Sequence, residues 1–547
     1  MTVYGNRDFM KQGTVKKESG LRLGAVVRTS TFIFLFLVAA KLLNFFKKIL
    51  IGQLFGVSSV ADAFFAASFF PYYLAIFFEG VLFLTFLPLF ASILAEKGKQ
   101  EAGQFVSEIL LLVFVLTGAL AFFGWIGAPW VISQLVPGFD LHQQHLTCEL
   151  FQILSLVLVF ISLTSFFKAL NSYFEHYAWA ASSALIDTLV MIGVTLMTWK
   201  VWGIRGAAWA AVAGAFTALI LQAAYFFWKH PDFWEMPVFR GEWLGQFFSL
   251  IVPMGMIWGF QQIPLVILNR FGSGMWQGTI SALTISQTLT TVPMGLVNHT
   301  VLFAIFPMLA KQAHEPSRGN LKDTFFQTLK GGFLILIPIG FFVTSVAPLL
   351  ASVFFQGGGI AEEGTRRISN SLICFGWAIF ALYADLFMTQ SLIAIRKTIP
   401  AIFLCASRAV LTYVIGYVLS SYWDYQGLAL SFSLALVLNF FFLFPLFFQG
   451  SPFRGGWKDL FGYAGKLTLA SSPVLLLGLF VNHWPVFRWA KFPDPVLILV
   501  LGAGFLCAVA VYLFSLFSLR VKEIRLITQE LGRKWNWKNW WWMEQSE

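Results

Sequence analysis

Leu150-Phe151-Gln152-Ile153-Leu154-Ser155-Leu156-Val157-Leu158-Val159-Phe160-Ile161-Ser162-Leu163-Thr164-Ser165-Phe166-Phe167 carries no charge. A hydrocarbon core of roughly 30 Å takes about 20 residues of helix. A run of this length and continuity therefore reads as a membrane span, not as the buried stripe of a soluble helix. Val496 to Leu519 is a second uncharged run of the kind. Working outward, spans fall near 29–51, 61–93, 106–134, 149–172, 178–199, 206–228, 245–269, 278–310, 328–355, 368–393, 400–421, 427–448, 464–483 and 495–519. The expected fold class is an all-α polytopic membrane protein with about 14 transmembrane helices.

Composition agrees. The chain is 58% hydrophobic and 12% charged, against about 45–50% and about 25% in soluble domains. No polar stretch is long enough for an attached soluble catalytic domain. The net charge of +11 does not point to nucleic acid. With a cytoplasmic N-terminus, about 26 Lys and Arg fall in cytoplasmic loops, about 7 outside and about 4 within spans. Arg7, Lys11 and Lys16 begin the cytoplasmic set, and Arg520, Lys522 and Arg525 belong to its end, so both termini are expected inside. No removable signal peptide is recognisable. Cys148, Cys374, Cys405 and Cys507 suggest neither a disulfide framework nor a metal site. The tail Trp535, Trp537, Trp540, Trp541 and Trp542, interleaved with Lys534 and Lys538, reads as an interfacial anchor or as a disordered end.

An internal repeat sets the architecture. Val81-Leu82-Phe83-Leu84-Thr85-Phe86-Leu87-Pro88-Leu89-Phe90-Ala91 returns as Val301-Leu302-Phe303-Ala304-Ile305-Phe306-Pro307-Met308-Leu309-Ala310. Pro88 to Pro307 and Pro129 to Pro348 share one offset, and Gly206-Ala207-Ala208 echoes as Gly427-Leu428-Ala429. Six spans per copy is even, so the copies enter from the same side and the repeat is parallel. The expected plan is two pseudo-symmetric six-helix lobes plus two C-terminal helices. The segments are 1–28 (cytoplasmic), 29–228 (first lobe), 229–244 (inter-lobe loop), 245–448 (second lobe), 449–519 (helices thirteen and fourteen) and 520–547 (Trp/basic tail). Transporters of this plan bind substrate between the copies and rock one against the other; an inert bundle or a channel is the plainer alternative.

Charges at membrane depth cost roughly 2.5–3.5 kcal/mol on insertion scales, so each needs a cavity or a partner. The first span holds Lys41, Lys47 and Lys48, the second Asp62 and Glu79, the fifth Asp187, the tenth Asp385 and the eleventh Arg408. Lys41 and Lys48 lie two turns apart on one helical face, where lysines would suit a phosphate. The alternatives are pairing with Asp62 or Glu79, or snorkelling of Lys47 and Lys48. Asp62 is equally placed to cap the second span. Pro293 and Gly295 in span eight should bend or break it and serve as a hinge, and Pro71 raises the same expectation in span two. His299 reads as a proton relay or as an ordinary hydrogen-bond donor. There is no Gly-x-x-x-x-Gly-Lys loop, HExxH or Cys-x-x-Cys, so hydrolytic chemistry and ATP-driven transport by this chain alone are not expected.

On these residues the chain resembles the MurJ/MviN family of lipid II flippases, within the multidrug/oligosaccharidyl-lipid/polysaccharide exporter superfamily. Leu54-Phe55-Gly56 before Ala61-Asp62-Ala63-Phe64-Phe65, then Phe78-Glu79-Gly80, Ala128-Pro129-Trp130-Val131-Ile132 with Pro137-Gly138-Phe139, Phe355-Gln356-Gly357, and Lys397-Thr398 before Pro400 carry the resemblance. It implies a V-shaped pair of lobes, a groove on helices thirteen and fourteen for a polyprenyl tail, and a bacterial inner-membrane location. It also implies an undecaprenyl-pyrophosphate-linked disaccharide-pentapeptide as cargo, moved to the outer leaflet for peptidoglycan synthesis. Where the family has cavity arginines, this chain has Lys41, Lys47, Ala75 and Thr288, with Thr291 replacing an acid and Asp62 kept. The expected substrate contacts are Lys41, Lys47, Lys48, Asp62, Glu79 and Thr288, with Asp62 and Glu79 gating by charge pairing. No cofactor is expected; coupling to membrane potential or to a sodium ion or proton is left open, and cell-wall synthesis enzymes are candidate partners. Rival readings are a flippase for another polyprenyl-linked glycan, a cation-coupled drug antiporter, and a non-transporting scaffold.

Overall fold

The computed structural model describes residues 38–233, 241–312, 319–355, 362–447, 453, 455–483 and 494–519. The segment 1–28 and the Trp/basic tail 520–547 lie outside them, as do residues 234–240 of the inter-lobe loop and Gln356-Gly357. Among the described residues there are helices and no strands. The helices are α1 (38–55), α2 (Ser59–Val81), α3 (Lys99–Ile126), α4 (Leu141–Tyr173), α5 (Tyr177–Trp202), α6 (Ile204–Lys229), α7 (Gly241–Gly272) and α8 (Thr279–Gln312). Next come α9 (Gly319–Ser345) and α10 (Glu362–Gly376 continued by Ile379–Ala394). Thr398–Leu438 holds α11 and α12, and the chain ends in α13 (Trp457–His483) and α14 (Asp494–Ser518). Among the described residues eleven stretches are long and apolar enough to cross a membrane, twelve with the bent pair of α10. One of the eleven, Thr398–Leu443, is broken at Trp423 and Asp424 into α11 and α12.

The repeat is visible in the backbone. Glu175 (φ 63°) and Arg396 (φ 58°) are left-handed residues between the fourth and fifth helices of each copy. Matching bonds close those turns, from His176 N–H to Asn171 O (2.9 Å) and from Lys397 N–H to Leu392 O (2.8 Å). Gly203 (φ 57°, ψ −137°) and Asp424 (φ 51°, ψ −135°) then reverse the chain into the sixth helix. The proline motif differs between copies. Leu82–Phe86 winds as a π turn before Pro88, with Leu87–Lys97 continuing α2, while 301–310 stays α-helical.

By packing the chain divides into Met1–Ser281 and Ala282–Glu547. The seventh helix, placed in the second lobe by its sequence, thus groups with the first unit. The repeat boundary and the packing boundary differ because α7 lies on α2: Trp258 Cζ2 comes within 3.2 Å of where a side chain at Gly80 would begin.

Within the first unit, α5 and α6 form a close hairpin. Lipid tails are as apolar as Leu, so helices in a membrane associate through tight packing of small residues. α6 offers Gly206, Ala210, Gly214 and Ala218 on one buried face. A Cβ at Gly206 would lie 2.6 Å from Thr198 Oγ1, and one at Gly214 would overlap Asp187. One core of this unit is phenylalanine-rich: Phe86 packs on Phe105 (5.5 Å) and Phe166 (4.8 Å). In the second unit Gly332 makes room for the Tyr383 ring, whose hydroxyl donates to Thr328 O at 3.1 Å.

Candidate functional site: two tiers of charge in the first unit

α1 and α2 run antiparallel, and their charged residues fall at matching levels. Lys41 is six residues before Lys47, about 9 Å along α1, and Glu79 is seven after Tyr72, about 10 Å along α2. Lys41 lies within electrostatic reach of Glu79 and Lys168, and Lys47 within reach of Asp187. Two tiers result, one of Lys41, Glu79 and Lys168, the other of Lys47, Tyr72 and Asp187.

In the first tier Glu79 of α2 is ion-paired and hydrogen-bonded to Lys168 of α4. The two side chains keep 34% and 24% of their surface exposed. Lys168 Nζ also stands 5.9 Å from the Phe83 ring centroid, and Lys41 is exposed. The neighbours of Glu79 explain the Phe78-Glu79-Gly80 signature: Phe78 is buried against Ala75 and Leu158, and Gly80 lies beneath Trp258.

The second tier is drier. Lys47 retains 8% exposure with Nζ 5.2 Å from the Tyr72 ring centroid, a cation held over an aromatic face. That position rules out snorkelling for Lys47. Among the described residues Tyr72 Oη and Asp187 Oδ1 are buried without a hydrogen-bond partner. Lys48 is half-buried, within electrostatic reach of Lys47 and Lys41.

Asp62 belongs to neither tier. It is 2% exposed and accepts from Gly278 N–H at 2.7 Å and Ser281 N–H at 2.6 Å. The reason is local. Gly278 has φ +90° and a Cβ there would meet Val57 at 2.5 Å, so only glycine fits before the first turn of α8. A glycine cannot cap its own helix, and Asp62 supplies the acceptor that an N-cap side chain would provide. Ser58, accepting from Ala61 N–H at 3.3 Å, caps α2. Thr288, on the second unit, donates its hydroxyl to Thr284 O at 2.7 Å. Nor is α8 broken at Pro293 or Gly295. The 53° break is in α10, between Gly376 and Ile379. There a side chain at Gly376 would overlap Thr344 Oγ1 and lie 3.2 Å from Gly340 O. His299 lies in α8, its side chain outside the described residues.

Sequence reasoning missed Lys168, which sits five residues from the end of α4 and reads as a helix-end lysine. It also left the buried pair Asp385 and Arg408 unconnected, although both were visible as charges within spans.

Repeated six-helix copies with ion pairs at membrane depth are the architecture of a multi-pass membrane transporter. The family described as "Lipid II flippase MurJ" matches residues 51–491, and the chain belongs to that family. Relatives include a "Probable lipid II flippase MurJ" of Rhizobium tropici, 24% identical over 91% of this chain and 95% of that one. Another, from Buchnera aphidicola subsp. Schizaphis graminum and described in the same words, is 21% identical over 84% and 90%. The "Lipid II flippase MurJ" of Burkholderia cenocepacia is 21% identical over 82% and 88%. Among solved structures, "Lipid II flippase MurJ, inward closed conformation" superposes with a TM-score of 0.72 at 20% identity, over 89% of this chain and 98% of that one. An inward-facing multidrug resistance MATE family transporter gives 0.64 at 14%, over 79% and 96%.

Proposed function

We propose that this chain is a transporter, not an enzyme, which moves a polyprenyl-diphosphate-linked glycan across the bilayer, with the peptidoglycan precursor lipid II as its cargo. The observation that carries the reading is the set of lysines at membrane depth, Lys41, Lys47 and Lys168, in a chain of this family. A sugar-peptide headgroup cannot cross hydrocarbon unaided, because each buried polar group without a partner costs several kcal/mol. A polar passage in the protein replaces those bonds while the polyprenyl tail stays in lipid. Lysines in that passage hold the phosphates as point charges. The two copies would then alternate access by rocking, as parallel-repeat transporters do. The distribution of Lys and Arg supports placing both termini in the cytoplasm of a bacterial cell.

A second polyprenyl-linked glycan, such as an exopolysaccharide or teichoic acid unit, is favoured by one observation. Ala75 and Thr288 carry no charge where arginines are expected, and Thr288 is turned to its own helix. Depleting the protein and assaying leaflet distribution decides between them. Lipid II accumulating on the cytoplasmic side supports the first reading, and accumulation of another lipid-linked glycan supports the second. No accumulation of any polyprenyl-linked sugar refutes both.

A further inference from the structure

We infer that Lys168 is a substrate-contacting residue, forming with Lys41 an anion-receiving tier in which the Glu79 carboxylate holds the place of a phosphate. The inference rests on the flippase reading and deepens it. Three observations lead to it. Glu79 and Lys168 are paired yet keep a third and a quarter of their surface exposed, whereas the pair Arg408–Asp385 is sealed at 4% and 0%. A sealed pair has no route for exchange; a half-open one does. Second, Lys41, exposed in α1, lies within electrostatic reach of the same carboxylate, so two cations act on Glu79. Third, the pair is built from two helices that pack closely around Ala75, Phe78 and Leu158, which fixes where the Lys168 ammonium points.

An arriving phosphate can replace the Glu79 carboxylate without leaving a cation uncompensated at any stage, which avoids the several kcal/mol that an unpaired buried charge costs. Release of the phosphate lets Glu79 return. The Lys47 tier lies about 10 Å further along α1 and α2, too far for one diphosphate to bridge. The diphosphate therefore meets the Lys168 tier first, from the end of the unit that the positive-inside rule places in the cytoplasm, and the Lys47 tier next. At that second tier Asp187 lies within electrostatic reach of Lys47.

The test uses the full chain in lipid nanodiscs, titrated with undecaprenyl diphosphate and undecaprenyl monophosphate. Lys168→Met should weaken diphosphate binding about tenfold, and Lys168→Arg should restore it. Glu79→Gln, which removes the resident anion, should tighten binding about fivefold. A misfolded variant cannot gain affinity, so this gain separates an exchangeable pair from a structural one. Unchanged or weaker binding in Glu79→Gln, or wild-type affinity in Lys168→Met, overturns the inference. Wild-type protein that binds neither lipid overturns the flippase reading itself.

Discussion

Asp62→Asn tests whether the helix-two acid is a cap or a gate. The carboxylate is 2% exposed and accepts two backbone N–H bonds, at 2.7 Å from Gly278 and 2.6 Å from Ser281. Hydrogen bonds to a charged acceptor contribute about 1.5–3 kcal/mol each. An asparagine of the same shape has one acceptor oxygen; its NH2 group would face the second donor. One bond is lost and the other loses its charge assistance, which together should lower stability by about 2–4 kcal/mol. Unfolding of the detergent-solubilised chain, followed by tryptophan fluorescence, measures the loss. Ser281→Pro removes one donor while remaining tolerable in the first turn of a helix, so the two lesions should be less than additive when combined. Full stability in Asp62→Asn with transport abolished would refute the capping argument and return the residue to a gating role.

Three further outcomes follow from packing. Arg408→Met should destabilise by about 3–5 kcal/mol because it strands Asp385 in a dry interior, while combining it with Asp385→Leu recovers most of the loss; a single variant as stable as wild type in the same unfolding assay contradicts this. Gly214→Ala, whose Cβ would overlap Asp187, should cost about 1–3 kcal/mol. Gly193→Ala, with open space at its Cβ, should stay within about 0.5 kcal/mol of wild type. Asp424→Gly should stabilise by about 1 kcal/mol and Gly203→Ala destabilise by at least as much, since both positions need φ above 50°; thermal unfolding in detergent checks the opposite signs.

What the sequence made legible was periodic or compositional. Uncharged runs located the spans, and the recurring prolines and glycines located a repeat that the left-handed residues at 175 and 396 reproduce in three dimensions. Partner identity was not legible. Asp62 meets its donors 216 and 219 positions away, and no local pattern announces that a glycine forced at 278 will borrow a cap from another helix. Lys168 was hidden by its place near a helix end, where a long side chain usually reaches for the headgroups; its carboxylate partner lies 89 positions earlier. The bend expected at Pro293 and Gly295 falls in a stretch that is helical throughout. Pro293 deprives the Leu289 carbonyl of its usual donor, yet α8 runs on through it. In α10 the break comes with backbone approach between Gly376 and Gly340, a contact between helices that neither sequence discloses alone.

The repeat also shows which half retains exchangeable charge. The offset that joins Glu175 to Arg396 and Gly203 to Asp424 also joins Asp187 to Arg408. Both occupy the fifth helix of their copy, and they are of opposite sign. In the second copy Arg408 is locked to Asp385 of the neighbouring helix and shut off from solvent. In the first, Asp187 has an oxygen without a hydrogen bond, and the lysine it attracts comes from α1, two turns beyond the half-open pair of Glu79 and Lys168. A sealed pair of equal and opposite charges fixes a helix packing and has no capacity left for a ligand. Lysines that share fewer carboxylates, at a tier that is still partly open, keep that capacity. The phosphate recognition proposed above therefore draws on residues of the first unit, while the sealed pair Arg408–Asp385 lies in the second.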